Sequence, residues 1–228
     1  MIRDALFPPL CAVCGVNACR PALPVCPSCA GALQALLTAP CPECGRPASA
    51  CRCPENERFH CLFWYGDALS RRLIHVLKND ADRRQTAFLG ALLANAIPPA
   101  AARSCEAVTY VPRRARGLRQ AGYDQAALLA EAAAREMGLP CIPTLLRRGE
   151  TQQKLLSASE RRRDIRNRYA PLPAALTEGG ALPWRGLLLV DDVCTTGATL
   201  EGCAAVLRAA GVGRVTCAAL ARTPRAFP

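Results

Sequence analysis

The stretch LLLVDDVCTTGATL, residues 187–200, decides how the chain is read. An apolar run fit for a buried strand stops on two adjacent aspartates, Asp191 and Asp192. A small-residue loop follows, with Thr195, Thr196 and Thr199 around Gly197. A buried strand gains nothing by ending on doubled negative charge, so the pair and the loop together point to a ligand. A Walker B strand would need a Walker A partner, but the only lysines, Lys78 and Lys154, stand in LKN and QKL. That excludes a P-loop ATPase. The acidic cluster of a receiver domain has no further support in the sequence. A phosphate loop fits: backbone N–H groups over Val193, Cys194, Thr195, Thr196, Gly197, Ala198 and Thr199 would gather at the start of a helix predicted over 199–211. Two carboxylates just ahead of it can accept hydrogen bonds from vicinal hydroxyls, directly or through Mg²⁺. A phosphate beside a diol describes a ribose 5-phosphate.

Outward from this stretch the chain alternates strands and helices. HCLFWYG (60–66), EAVTYVP (106–112), IPTLLRR (142–148), GLLLVDD (186–192) and VGRVTCAALAR (212–222) read as strands. LSRRLIHVLK (69–78), AFLGALLANAI (87–97), DQAALLAEAAAREMG (124–138), ASERRRDIRNRY (158–169) and the 199–211 segment read as helices. The pattern predicts an α/β domain with a largely parallel sheet, helices on both faces and ligands at the carboxyl ends of its strands.

The amino-terminal part is different. Eight of the 15 cysteines stand as four close pairs, Cys11/Cys14, Cys26/Cys29, Cys41/Cys44 and Cys51/Cys53. These spacings suit two tetrahedral Zn²⁺ sites, with the pairs combined sequentially along the chain or interleaved, the sequential arrangement being preferred. Every ligand is a thiolate and no position is left open, so the sites are expected to be structural. Residues 1–55 are proline-rich with little hydrophobic periodicity and need a metal staple, which sets the expected boundary between a 1–55 module and a 56–228 domain.

The 228-residue chain is 51% hydrophobic and carries a net charge of +11. Arginine supplies all but two of its 29 basic residues, and the planar guanidinium suits phosphate as partner, in a small ligand or in nucleic acid. The first residues show no signal peptide, and no apolar run is long enough to span a bilayer. A cytoplasmic, reducing location without membrane insertion is expected, in which the cysteines are not a disulfide framework.

The 187–200 motif resembles the phosphoribosyl diphosphate (PRPP) motif of type I phosphoribosyltransferases. Together with the cysteine-rich start, the whole chain resembles the ComF-type proteins of bacterial DNA uptake, which join a double zinc ribbon to such a domain. LIHVLK (73–78), VPRRARGLRQAGYDQA (111–126), QKLLSASERR (153–162) and ART (221–223) add to the likeness. The resemblance implies a type I phosphoribosyltransferase-like fold in which Asp191 and Asp192 hold the ribose hydroxyls with Mg²⁺ nearby. Thr195, Thr196, Gly197 and Thr199 would cradle the 5-phosphate. Pro112, Arg113, Arg114 and Arg116 would form the pyrophosphate loop, and Arg147, Arg148 and Gln153 a cover over the site. Two stretches depart from the family pattern. Ala121 and Asp124 stand where R-G-F-N-Q is usual, and Asp164 stands where asparagine is usual. An arginine is thus missing, and two amides are acids, in the region expected to meet an anion. Two functions follow: a Mg²⁺-dependent phosphoribosyltransferase of unassigned acceptor, or a zinc-ribbon adaptor whose PRPP pocket senses ligand. The adaptor would touch single-stranded DNA and, by the resemblance, a ComFA-type helicase and DprA.

Overall fold

The computed structural model describes residues 10–16, 24–41, 43–53, 59–79, 83–148 and 168–224. Its strands are β1 (Phe59–Trp64), β2 (Ala107–Tyr110), β3 (Leu145–Arg147), β4 (Tyr169–Pro171), β5 (Gly186–Cys194) and β6 (Arg214–Arg222). The main sheet has the order β1-β6-β5-β2, and every pairing is parallel. Leu187, Leu188, Leu189 and Val190 of β5 are fully buried, as a central strand covered on both faces requires. The 142–148 segment predicted as one strand divides. Ile142 N donates to Val108 O at 2.9 Å, next to the Cys141–Val108 bridge beside β2, whereas Leu145–Arg147 leaves the main sheet and pairs antiparallel with β4.

The helices are α1 (Pro27–Thr38), α2 (Ala68–Asn79), α3 (Arg83–Ala96), the one-turn α4 (Pro99–Ala102), α5 (Ala115–Ala121), α6 (Gln125–Met137) and α7 (Ala198–Ala209). Leu73 and Leu77 of α2, Leu89 and Leu93 of α3, and Leu129 of α6 pack with Leu188, Val190 and Leu220 on one face of the sheet. Leu200, Cys203 and Leu207 of α7 pack with Leu187, Leu189 and Cys217 on the other. No helix among the described residues is long and apolar enough to cross a membrane. The charged helix predicted over 158–169 lies outside the described residues except at its end. There Tyr169 belongs to β4, its phenol buried against the α7 face, where an extended strand takes a large side chain inward.

The amino-terminal segment holds a helix that its sequence pattern did not announce. α1 begins on the proline after Cys26 and buries Leu33 and Leu36. Val13, Val25, Leu33 and Leu36 join the α2/α3/α6 side of the core, while Cys41, Ala48, Cys51 and Cys53 join the α7 side. The 3₁₀ turn Ala48–Ala50 and α1 both pack against β1. They cover the outermost strand of the main sheet, which would otherwise offer unpaired backbone to another chain.

α3 and α6 approach closely because Gly90 faces Ala132. A β-carbon at 90 would overlap Ala132 Cβ and lie 3.0 Å from Ala133 N. Gly90→Ala is therefore expected to lose about 1–3 kcal/mol despite the better helix propensity of alanine. Thermal unfolding checks this, with a fall of several degrees expected.

Candidate ligand site and metal centres

The carboxyl ends of β5 and β2 lie side by side, Val111 N donating to Val190 O at 3.0 Å. Asp191 and Asp192 lie within the carboxyl-terminal part of β5, which runs on to Cys194 rather than stopping at the aspartates as its apolar run suggested, because Val193 and Cys194 keep the pairing with β6. Asp192 is buried and its environment is complete. Oδ2 takes Lys78 Nζ at 3.3 Å and Gln125 Nε2 at 3.2 Å, and Oδ1 accepts Val193 N at 2.7 Å. Asp191 is half-buried and accepts Asp192 N at 2.9 Å on Oδ1. Burial and the neighbouring Asp192 carboxylate hold its carboxyl well above the usual carboxylate range. Such a group favours a proton, a cation or a hydroxyl donor beside it.

The threonine loop turns from β5 into α7. Gly197 has φ 79°, a left-handed conformation that favours glycine, and it caps α7 without a side-chain hydrogen bond. The helix therefore presents its first amides toward the loop. Ala198 N meets Thr196 Oγ1 at 3.4 Å, and the Gly197 amide meets the Cys194 sulfur. Thr195 and Thr196 are exposed; Ala198 and Thr199 are half-buried. Cys194 differs from its neighbours. Its side chain is buried in the α7-side core, where the sulfur also takes the Gly197 backbone amide and ties the turn to the strand end. Val193 likewise packs inward against the opposite core.

The segment after β2 brings a cation. Asp124, an acid where the resembling family has an amide, turns away from the anion site and caps α6. Its Oδ1 accepts Ala126 N at 3.0 Å and Ala127 N at 3.4 Å, and its Oδ2 accepts Arg113 N at 2.7 Å. An asparagine could fill the cap but offers no second acceptor for Arg113 N, so the acid fixes the Pro112–Arg114 turn. Arg113 Nη1 also reaches Tyr123 O at 3.4 Å. Pro112 is half-buried and Arg114, at the start of α5, is exposed. Arg116 lies within α5. Ala121 is the last residue of α5 and is half-buried.

The β3–β4 hairpin closes the other side. Arg147 Nη1 donates to Tyr169 Oη at 3.2 Å and its guanidinium lies over that ring, 5.4 Å from the centroid. Burial, foremost, pushes the Tyr169 phenol up to about 12, so it stays neutral. Arg148 N donates to Arg168 O at 2.8 Å, carrying the β3–β4 pairing one residue further. Gln153 and Asp164 lie outside the described residues.

The cysteines gather as two groups of four, Cys11/Cys14/Cys26/Cys29 and Cys41/Cys44/Cys51/Cys53, with all sulfurs of a group within 4.8 Å of one another. Cys14 and Cys26 Sγ are 3.8 Å apart, Cys41 and Cys53 3.8 Å, and Cys44 and Cys51 3.4 Å. A tetrahedral zinc thiolate site sets sulfurs about 3.8 Å apart, so both groups fit the metal and pair sequentially. Burial opposes ionisation of Cys11, but the backbone amides of Cys26, Cys14 and Val13 outweigh it and draw the thiol down to about 6. Cys44 is drawn to about 6 as well, chiefly by the backbone of Arg46. Each group thus holds one thiolate ready at neutral pH.

No model of a protein family matches the sequence. The chain is 30% identical to DNA utilization protein YhgH of Salmonella typhimurium, over 95% of this chain and 98% of that protein. It is 30% identical to Competence protein F of Haemophilus influenzae over 72% of this chain, and it spans 64% of that protein's length. The chain belongs to the ComF family. Solved structures that resemble it include an allosteric regulatory enzyme of purine biosynthesis (TM-score 0.40, 22% identity, 59% of this chain and 25% of that one). A purine phosphoribosyltransferase from Pyrococcus horikoshii scores 0.36 at 18% identity, over 63% of this chain and 78% of that one. At these scores the functional argument rests on the residues of the ComF-family chain itself.

Three residues of this site had no decisive signal in the sequence: Lys78, whose reach into the site is set by the end of α2; Gln125, which holds Asp192; and Asp124. Tyr123 Oη donates to Leu77 O at 3.3 Å, so the same segment also steadies the helix end that carries Lys78.

Two outcomes are expected. Because the folded state raises the affinity of Asp191 for its proton, its stability contribution is full below the ordinary carboxylate pKa, about 3.9, and is lost as pH rises through the folded value. Asp191→Asn should therefore raise the melting temperature of the ligand-free protein by a few degrees near pH 7.5, with the gap closing near pH 4. Metal analysis should find two zinc ions per chain. Chelation should lower the melting temperature by about 10 °C or more, since structural zinc contributes folding free energy outright.

Proposed function

We propose that the carboxyl end of the sheet binds PRPP with Mg²⁺ and that the chain acts as a phosphoribosyltransferase of ComF type in DNA uptake. The observation that carries this reading is one juxtaposition. A paired carboxylate at the end of β5 stands next to an uncapped helix start on one side and the Arg113 turn on the other. In this reading Asp191 and Asp192 would hold the ribose hydroxyls with Mg²⁺ nearby, an ion that would supply positive charge to the ligand. Amides at 195–198 hold the 5-phosphate, and Lys78 keeps Asp192 in place. Transfer breaks the bond from ribose C1 to pyrophosphate and forms one from C1 to the acceptor. Arg113 and Arg114 would supply positive charge to the departing pyrophosphate, with Arg147 and Arg148 as part of a cover that keeps water out.

Calorimetric titration of PRPP with Mg²⁺ tests this. Wild type should bind, and Asp191→Asn/Asp192→Asn should bind at least about 100-fold more weakly, two charged hydrogen-bond contacts at roughly 1.4 kcal/mol each. Wild type that is silent at millimolar ligand overturns the reading. Pyrophosphate release with a panel of bases and amines then identifies the acceptor.

A second role is favoured by the charge of +11, carried almost wholly by arginine, in a relative of a DNA utilization protein. The chain would hold single-stranded DNA and competence partners of the ComFA and DprA kinds while the PRPP pocket sets its state. Binding led by backbone phosphates should weaken steeply with salt, by roughly 0.7 log units per released counterion for each tenfold rise in concentration.

A further inference from the structure

We propose that Phe59 is a positioning residue that makes the phosphate loop responsive to metal occupancy of the Cys41/Cys44/Cys51/Cys53 group. The inference rests on the reading of 195–199 as phosphate-binding only where ligand affinity is concerned. Phe59 is the first residue of β1, six positions after the last cysteine of that group, and its side chain is 5% exposed. Its ring occupies the space that any side chain at 197 would need. A β-carbon on Gly197 would lie 2.5 Å from Phe59 Cε2 and 2.6 Å from Cζ. The left-handed turn that opens the start of α7 is thus shaped on this ring. The Arg222 guanidinium carbon stands 5.4 Å from the ring centroid. Arg222 is itself buried, and its register neighbours are Trp64 on β1 and Cys194 at the root of the loop. The ring is therefore fixed among the strand ends that carry the loop.

On its other side Phe59 meets the second cysteine lobe. It belongs to the same packed core as Cys41, Ala48, Cys51 and Cys53, and with Ala48, Ala50 and Cys51 it walls one cavity of about 540 Å³. Apart from its sulfurs this lobe contributes little to the core: Ala48 is its one buried residue that is not a cysteine among those described. Four thiols held 3.4–3.8 Å apart or closely so have no cohesion once the metal leaves. Loss of that metal removes the support beneath the start of β1 and frees the ring that defines the loop. The first cysteine group is the internal control. Its residues pack with Leu62, Phe63 and Leu73 on the opposite face of the sheet, away from Gly197.

Hydrogen exchange of the zinc-loaded protein decides this. Cys44→Ser, which removes an exposed ligand of the second group, should leave one zinc per chain and raise exchange at amides 195–198 about tenfold, with the amides of 187–190 unchanged. Cys14→Ser should also leave one zinc but should not move the loop. Phe59→Ala, with both zinc ions retained, should show the faster loop exchange by itself, and adding Cys44→Ser should produce no further change. Phe59→Leu, which refills part of the space, should lie between. Loop exchange that ignores Cys44→Ser, or that stays as zinc-sensitive in Phe59→Ala as in wild type, overturns the proposal. If Cys44→Ser fails to fold, unchanged loop exchange in zinc-loaded Phe59→Ala overturns it alone. In parallel, PRPP affinity should fall about tenfold in Phe59→Ala. Wild type without PRPP binding would defeat the phosphoribosyl reading, while the exchange data would still judge the coupling.

Discussion

The uninterrupted burial of β5 between β2 and β6 is the constraint from which the rest follows. A strand hydrogen-bonded on both sides and covered on both faces has no place for charge in its middle, so Asp191 and Asp192 fall beyond the last residue paired with β2, near the carboxyl end of the strand. Parallel pairing sends its neighbours' carboxyl ends to the same edge, and so the Arg113 turn after β2 arrives beside the carboxylates. Repulsion within the aspartate pair is left partly unrelieved in the free protein. A site kept in that state is less stable than it could be and correspondingly better prepared for a cation or a diol.

The two aspartates differ although they are adjacent. Asp192 is held by Lys78, Gln125 and a backbone amide, and its geometry is settled before any ligand arrives. Asp191 carries the raised proton affinity, with burial and the Asp192 charge acting against its ionisation. In a period-two strand successive side chains point to opposite faces, which places the pair in two environments by geometry alone. One carboxylate is thus built into the frame, and the other is left for chemistry.

Much of this was legible in the residues. The apolar run, the doubled aspartate and the glycine-centred threonine loop announced β5 and the opening of α7, and paired cysteine spacings announced both metal groups with their pairing. Long periodic segments such as 124–138 gave their helices directly. What escaped depends on tertiary contact. α1 has only Leu33 and Leu36 to bury, too few for a periodic signal. The division of 142–148 between the main sheet and the hairpin is decided by which neighbour each residue meets, Val108 for Cys141 and Tyr169 for Arg147. Asp124 looks in the sequence like negative charge in an anion site. Only its bonds to three backbone amides show that the charge is spent on a helix start and on the turn that carries Arg113.

The position of β1 bears on how the chain comes together. The strand is made early, yet its partner in the sheet is β6, the last strand described. During synthesis β1 must wait with exposed backbone and an apolar face, the condition in which chains pair wrongly with one another. The cysteine lobes come immediately before it in the chain, and α1 and the Ala48–Ala50 turn pack on that strand. A lobe made before β1 is at hand to cover that strand while β6 is still to come, so metal supply during translation would bear on yield as well as on stability.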